Sequence, residues 1–365
     1  MSSLKTLSSA PSSNYPGDSV WDAKVTSDSW IVDNGAVVAQ ATYPVLYSQV
    51  GLISNGNVVG TWTSRTSGTT ALIYALTYGN GLYVYGAGGG VLRTSTDGIT
   101  WTNQSSGTVN NILSLTYKTN LYVYSTGGAT NIYTSTDAVT WTGQTSGLAA
   151  AINSVIFGNN LFVAAGDVNV SAVLATSTNA ITWTSRTSGT TSSIYAITYG
   201  NGLYVYAGDG GVLATSTNAI TWTARTSGTT SLIWSLTYGN GLYVYAGQGG
   251  VLATSTDGIT WTARTSGTTN YIRALTYGNG LYVYAGQTGI VATSTDAITW
   301  TVRTNGTSSN IYALTYGNNT FVSSGQTGAL TTATQFTYDT TTNFLLPTGT
   351  TILTNSTSSV YSKGG

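Results

Sequence analysis

The side chains that could do chemistry in this sequence are mainly arginine, aspartate and aromatic residues. The chain has no His, Cys or Glu, and its 11 acidic side chains, all Asp, balance 11 Lys and Arg. Zinc sites built on His or Cys, thiolate nucleophiles, Ser-His-Asp triads and disulfides are therefore excluded. A two-carboxylate glycosidase would have to use Asp in both roles.

The low charge also limits the partners of the protein. Charged residues are 6% of the 365 residues, against about 25% in an ordinary soluble domain. Lys occurs at only four positions, so the basic stripe that phosphate backbones require is missing. No apolar run reaches the roughly 18 residues of a membrane helix, and the first residues lack a signal-peptide core. We expect no nucleic-acid binding, no membrane insertion, no signal peptide and no cofactor.

The elements that would position these side chains are set by an internal repeat. A Trp-Thr pair recurs at intervals of 39 to 42 residues, at Trp62, Trp101, Trp141, Trp183, Trp222, Trp261 and Trp300. Between two such pairs, four runs of β-branched and aromatic residues alternate with four turn clusters rich in Gly, Asn, Asp and Ser. Units of this kind and length are typical of four-stranded antiparallel propeller blades.

The strand count predicts how the ring closes. Seven runs of the first type begin at Ile73, Ile112, Ile152, Ile194, Ile233, Ile272 and Ile311. The last unit ends without a Trp-Thr strand, while the Trp62 strand stands unpaired ahead of the first complete unit. We therefore predict an all-β, seven-bladed propeller over residues 54–335, in which the N-terminal strand closes the last blade and hides the open edges.

The turn before most of these Trp residues resembles the Asp-box of sialidase-like propellers, shortened by one residue. Ser255–Trp261 reads STDGITW, and two other units carry Asn179 and Asn218 at the acidic position. Asp and Asn side chains can both bond the backbone two residues on, whereas a metal ligand or catalytic acid would tolerate the exchange poorly. We interpret the turn as structural and expect each Trp to pack between blades.

Candidate ligand-binding residues are found where the repeats differ from one another. The residues around the first Ile of each unit vary, and so does the turn between the second and third strands, which is lengthened at residues 166–172. In a propeller both segments lie at one mouth of the central channel. The candidates are Trp234, Tyr271, Arg273, Asn169, Asp209, Gln248 and Gln287. Aromatic rings beside amides and carboxylates suit sugars, although Tyr is abundant throughout and variation also arises from relaxed constraint.

Catalysis is the less favoured hypothesis. Sialidase-type catalysis on this fold, as the resemblance implies, uses three clustered Arg residues, a Tyr nucleophile and acidic partners. Arg65, Arg186, Arg225, Arg264 and Arg303 instead share one repeated position and must be spread around the rim. We therefore predict that the protein is not an enzyme.

The flanks of the repeat resemble the phage tail collar domain of tail fibres. Trp30, Asn34 and Gly35 match its hairpin, Tyr43, Leu46, Val50 and Gly51 its short helix, and Phe344, Leu346 and Pro347 its return segment. The helix is also indicated by the i, i+3, i+4, i+7 spacing of apolar residues. A propeller closed by its own N-terminal strand has neighbouring ends, as insertion into another domain requires. We predict an arm (1–29), two collar-like halves (30–53 and 336–365) and the inserted propeller.

The resemblance implies a virion protein of a phage tail fibre or tail tip. The arm and the collar-like domain would bind other tail proteins, and the chain would form a homo-oligomer, a trimer by resemblance. The propeller would then recognise polysaccharide on the host surface. Two alternatives stay open: a purely structural virion protein without a ligand site, and a secreted propeller lectin.

Overall fold

The computed structural model describes residues 56–338 except 128–130, 149 and 169–170, together with strands at 5–7, 20–22, 30–33, 37–39, 343–345 and 350–352. Side chains are described for residues 59–335 apart from 128–131, 149 and 168–171. The predicted helix at residues 43–50 lies outside the described residues. Within them, the fold consists of antiparallel β-sheets.

The strands are named in chain order. Ahead of the first blade are β1 (Lys5–Leu7), β2 (Val20–Asp22), β3 (Trp30–Asp33), β4 (Val37–Ala39), β5 (Gly56–Val59) and β6 (Thr63–Ser64). Blade 1 contains β7 (Ile73–Gly79), β8 (Leu82–Ala87), β9 (Leu92–Ser95) and β10 (Thr102–Gln104). Blade 2 contains β11 (Ile112–Lys118), β12 (Leu121–Thr126), β13 (Asn131–Ser135) and β14 (Thr142–Thr145). Blade 3 contains β15 (Ala151–Gly158), β16 (Leu161–Val168), β17 (Ser171–Ser177) and β18 (Thr184–Arg186).

The later blades repeat the arrangement. Blade 4 contains β19 (Ile194–Gly200), β20 (Leu203–Gly208), β21 (Leu213–Ser216) and β22 (Thr223–Ala224). Blade 5 contains β23 (Ile233–Gly239), β24 (Leu242–Gly247), β25 (Leu252–Ser255) and β26 (Thr262–Ala263). Blade 6 contains β27 (Ile272–Gly278), β28 (Leu281–Gly286), β29 (Val291–Ser294) and β30 (Thr301–Arg303). The remaining strands are β31 (Ile311–Gly317), β32 (Thr320–Gly325), β33 (Leu330–Tyr338), β34 (Asn343–Leu345) and β35 (Thr350–Ile352).

The seventh blade is closed by the N-terminal side of the propeller, as predicted. Its sheet has the order β31-β32-β33-β5, and β6 also pairs with β33, with Thr63 opposite Thr332. The first strands of neighbouring blades contact one another all the way round, including β31 of blade 7 with β7 of blade 1. The predicted seven-bladed, four-stranded antiparallel architecture is therefore confirmed.

The core lies between the blades rather than within one of them. Seven clusters of buried apolar side chains each draw on two neighbouring blades, and each contains one of the seven repeated Trp residues. The predicted packing of these Trp residues between blades is thus confirmed. Tyr hydroxyls reinforce the interfaces: Tyr122 donates to the carbonyl oxygen of Gly79 in the preceding blade at 2.6 Å. Tyr83 makes the equivalent bond to Gly317, which joins the first blade to the last.

The turn before each Trp is held by hydrogen bonds to one side-chain oxygen. In blade 5 the Oδ1 atom of Asp257 accepts the backbone N–H of Ile259 and of Thr260, each at 2.8 Å. In blade 4 the Oδ1 atom of Asn218 accepts the equivalent two bonds at 2.9 and 3.0 Å. Because an amide oxygen makes the same contacts as a carboxylate oxygen, the turn needs an acceptor and not a charge.

We therefore expect Asp257→Asn to leave the free energy of unfolding at neutral pH within about 0.5 kcal/mol of the wild type. Asp257→Ala removes the acceptor and should cost about 1 kcal/mol. The N–H groups of Thr260 and Ile259 lower the pKa of Asp257 from 3.8 to about 2. The carboxylate therefore contributes stability above the unfolded pKa, and the contribution is lost as the pH falls towards 2.

Urea unfolding of the wild type, Asp257→Asn and Asp257→Ala, at neutral pH and at a pH near 2, measures both effects. The Asn variant should lose less stability on acidification than the wild type. Equal acid losses in the two proteins would contradict the role given to the Asp257 carboxylate.

Outside the propeller, strands from both ends of the chain pair. The chain divides into two compact units, Val59–Gln335, and Met1–Val58 with Phe336–Gly365. In the second unit, β3 lies between β2 and β35, and β4 pairs with β34. The hairpin predicted around Asn34-Gly35 is therefore wrong, because both edges of β3 are occupied by other strands. The finer division into arm and collar-like halves stays a prediction.

Candidate functional site

The first strand of every blade carries a β-bulge, and the bulged residue is the one that varies in the sequence. In blade 6, Ile272 lies opposite Gly286 and Ala274 opposite Ala285, so the residue between them has no partner. The same shift occurs in all seven blades, at Tyr74, Leu113, Asn153, Tyr195, Trp234, Arg273 and Tyr312. A bulge re-aims a side chain without ending the sheet. Since the first strands line the central channel, the bulges present seven variable, half-buried side chains at one level of the channel.

Five of these side chains form one continuous arc, which we call the crescent: Tyr195, Trp234, Arg273, Tyr312 and Tyr74. The Tyr195 and Trp234 ring centroids are 4.7 Å apart. The Arg273 guanidinium carbon lies 4.8 Å from the centroid of the Trp234 ring and 4.7 Å from that of Tyr312. Tyr312 meets Tyr74 edge to face at 6.2 Å. The crescent thus spans blades 4, 5, 6, 7 and 1 with a cation held between two aromatic faces.

The turns between second and third strands lie beside the crescent. A one-turn 3₁₀ helix forms this connection in five blades, at Gly88–Gly90, Asp209–Gly211, Gln248–Gly250, Gln287–Gly289 and Gln326–Gly328. The N–H of Gln248 donates to the carbonyl oxygen of Leu232, which leads into the first strand. The Gln248 side-chain amide donates to the Tyr271 hydroxyl at 3.1 Å, and the Tyr271 ring lies 5.8 Å from the Arg273 guanidinium. Tyr271 and Gln248 therefore extend the crescent outward over blades 5 and 6.

The opposite side of the channel mouth is acidic. In blade 3 the Asp167 carboxylate accepts hydrogen bonds from the Asn153 amide at 3.2 Å and from the Ser193 hydroxyl at 2.9 Å. Burial, together with the nearby Asp167 charge, raises the pKa of Tyr195, so this phenol is protonated at neutral pH. The mouth is thus polarised, with a carboxylate over blade 3 and a guanidinium over blade 6.

Two buried donors in the crescent have no hydrogen-bond partner among the described residues. They are the indole Nε1 of Trp234 and the Nε of Arg273. Leaving a buried donor unpaired costs about 1–3 kcal/mol, so such atoms in a native fold require an explanation. Both atoms are N–H donors, and both belong to residues that the sequence singled out.

Most charged side chains elsewhere in the propeller have scaffold roles. The five repeated Arg residues each donate from Nε to a Thr hydroxyl in their own blade, at 2.8 to 2.9 Å. Gln104 and Gln144 take the same position in blades 1 and 2 and make the same bond. Arg93 donates to the Gly68 carbonyl oxygen at 2.6 Å, and Lys118 lies over the Phe157 ring. The repeated Arg residues therefore do not converge, as expected from their spacing.

The structure brings together four of the predicted site residues: Trp234, Tyr271, Arg273 and Gln248. Gln287 lies at the edge of this group, with its Oε1 atom 3.4 Å from the Tyr271 nitrogen. Asp209 is exposed and bonds the N–H of Gly210 within its own turn, and its charge acts on Tyr195 at the blade 4 end of the crescent. Asn169 lies outside the described residues.

Sequence reasoning missed Tyr195, Tyr312, Tyr74 and Asp167 as site residues. Three of them occupy the same repeat position as Trp234 and Arg273, and that position was the available signal. The abundance of Tyr, 26 in the chain, concealed it. Asp167 departs from the repeat, but only the structure shows that its carboxylate lies beside Asn153 and Ser193 at the channel mouth.

The described part of the chain contains neither a group of three potential metal-ligating side chains nor a helix long and apolar enough to span a membrane.

Comparison with known proteins identifies the repeat. A family model described as the DUF6242 beta propeller domain matches residues 33–151 and 143–270, more than half of the chain. No curated protein matches the sequence.

Several solved structures share the fold at low sequence identity. YCF48 from Cyanidioschyzon merolae has a TM-score of 0.59 and 16% identity, over 74% of this chain and 98% of that one. A structure of YCF48 bound to D1 peptide has a TM-score of 0.60 and 14% identity, over 77% and 98%. Virginiamycin B lyase from Staphylococcus aureus has a TM-score of 0.66 and 12% identity, over 76% of this chain and 99% of that one. Identities this low relate the folds alone.

Proposed function

The chain belongs to the DUF6242 β-propeller domain family, and we propose that its propeller is a non-enzymatic recognition module that binds carbohydrate at the crescent. The observation that carries the proposal is the arc of five touching side chains, each on the bulge of a different blade. Aromatic faces stack on the apolar faces of sugar rings, and Tyr, Trp, Gln and Arg donors pair with sugar oxygens. A half-buried, mostly aromatic surface with a few polar groups is typical of small-ligand sites.

The biological setting that we propose is the tail fibre or tail tip of a phage virion, where the propeller recognises polysaccharide on the host surface. The support is the collar-like sequence of the flanks, from Trp30 to Gly51 and from Phe344 to Pro347. In this proposal the flanks bind other tail proteins and the chain is a homo-oligomer, a trimer by resemblance. The alternatives are a structural virion protein with no ligand site and a secreted lectin.

A glycan array probed with the full chain tests the carbohydrate proposal. The informative variant is Trp234→Leu, because Leu113 already occupies the equivalent bulge of blade 2 and the scaffold accepts this side chain. Removing an aromatic anchor costs about 2 kcal/mol or more. We therefore expect at least a roughly tenfold loss of affinity with an unchanged melting temperature.

Val302→Ala is the control, since Val302 is 55% exposed on the outer strand of blade 6, and it should bind as the wild type does. If no glycan binds, the structural alternative is favoured. If Trp234→Leu binds normally, the ligand site is elsewhere.

A further inference from the structure

Arg273 is the one half-buried positive charge of the described propeller that has no hydrogen bond to the scaffold. The carboxylates of the described propeller accept hydrogen bonds from groups other than Arg273. The four repeated Asp residues each hold a turn before a Trp. Asp167 bonds Asn153 and Ser193, and Asp209 bonds its own turn. The charge of Arg273 is therefore balanced by aromatic rings and not by an acid.

The aromatic contacts leave the edge of the guanidinium for another partner. Rings of Trp234 and Tyr312 lie against the guanidinium from the two neighbouring blades, at 4.8 and 4.7 Å. Aromatic faces stabilise the positive charge electrostatically. They do not accept hydrogen bonds from the N–H groups of the guanidinium, which point outward in its plane as a fork. The Nε–H group of Arg273 is buried without a partner.

A second buried donor without a hydrogen-bond partner lies beside the Arg273 guanidinium. It is the indole N–H of Trp234. Two adjacent donors without acceptors specify a ligand that presents oxygen atoms, and a cation in a half-buried site favours oxygens that carry negative charge. The ring hydroxyls of a neutral sugar would satisfy the donors but would leave the half-buried guanidinium without a negative counter-charge.

We propose that Arg273 binds the oxyanion of an acidic saccharide, a sugar unit bearing a carboxylate or a sulfate, with Trp234 as the second donor. This inference rests on the proposed carbohydrate-binding function and names its ligand class. The carboxylate of Asp167 lies on the opposite side of the mouth, over blade 3, and repels an anion there. The acidic group of the ligand therefore lies over blade 6, while its neutral hydroxyls extend towards Tyr195 and blade 3.

The test uses immobilised acidic oligosaccharides, each paired with the same oligosaccharide after carboxyl reduction or desulfation. The full chain should bind an acidic member about 10- to 100-fold more tightly than its neutral counterpart, as expected for a charge-assisted hydrogen bond. Arg273→Gln should abolish this preference while keeping the affinity for the neutral member. Arg273→Lys should keep part of it, since the charge remains and the planar fork is lost. Salt should weaken the preference in the wild type and in Arg273→Lys, where the positive charge remains, whereas Arg273→Gln should have no preference for salt to weaken.

Arg264→Gln is a matched control, because Gln104 and Gln144 make the same scaffold bond in other blades. It should retain the preference for the acidic member. Equal binding of both members by the wild type would overturn this inference and leave the carbohydrate function standing. An acid preference that survives in Arg273→Gln would also overturn it. Binding of neither member, or binding only of acidic peptides in a parallel panel, would overturn the carbohydrate function as well.

Discussion

Trp62→Ala is expected to lower the free energy of unfolding by about 3–5 kcal/mol, in the range for a buried aromatic reduced to alanine. Trp62 is 3% exposed and packs in the cluster between blades 6 and 7, with its ring 6.4 Å from that of Phe321. It directly precedes β6, a strand of two exposed residues. Because so short a strand holds weakly by its own hydrogen bonds, the Trp62 side chain carries much of the ring closure.

Equilibrium urea unfolding of the full chain measures this loss, and Thr61→Ala is the control. Thr61 is exposed, and its carbonyl oxygen, which accepts from the Thr63 hydroxyl, is unaffected by the substitution. Hydrogen exchange should also become faster in β33, the strand that β6 covers. A loss below about 1 kcal/mol would be that of an ordinary surface site and would mean that the ring is held closed elsewhere.

Gly250→Ala is the second substitution with a large expected effect. Gly250 ends the 3₁₀ turn of blade 5 at a φ of +74°, and an added Cβ would lie 2.0 Å from the backbone oxygen of Thr268. The left-handed backbone costs an alanine about 1–2 kcal/mol, and the overlap adds about 1–3 kcal/mol more. The turn would also shift away from the Ser266 hydroxyl, which donates to the Gly250 carbonyl oxygen at 2.6 Å.

The neighbouring glycine provides the control. Gly249 has a φ of +68°, but a Cβ there would meet nothing within 4 Å. Thr288 and Thr327 already occupy the equivalent position in blades 6 and 7, at φ values of 57° and 55°. Gly249→Thr should therefore cost about 1 kcal/mol. Similar thermal stabilities for Gly249→Thr and Gly250→Ala would contradict the steric argument.

The repeated part of the fold could be predicted from the sequence because each strand is defined by residues close to one another in the chain. Apolar runs between turn clusters define the strands. The last unit lacks its fourth strand and the Trp62 strand is left over, so the Trp62 strand must close the ring. The exchange of Asp for Asn at residues 179 and 218 likewise indicated a structural turn, and the hydrogen bonds have this arrangement.

The crescent could be predicted only in part, because it depends on contacts between residues about 40 positions apart. That Trp234 and Arg273 vary is visible in the sequence. That each lies on a β-bulge is not, since a bulge is a property of pairing between strands. The hairpin expected at Asn34-Gly35 failed for a related reason: β3 pairs with β35, more than 300 residues away.

The bulges also suggest how one repeated scaffold can carry a specific site. The buried residues on either side of each bulge hold the blade, as Ile233 and Leu236 do in blade 5. The bulged residue itself lies outside the strand register, so Tyr, Leu, Asn, Trp and Arg are all accepted there. The repeat can thus change its channel-mouth side chains without changing its packing.

The central claim is that ligand binds at the crescent, and a crystal structure of the full chain with an array-selected oligosaccharide tests it most directly. The predicted result is a sugar ring stacked on Trp234, with ligand oxygen atoms within hydrogen-bond distance of the Arg273 guanidinium and the Trp234 indole nitrogen. A ligand bound at the outer strands or on the flanking segments, with the crescent unchanged, would contradict the claim.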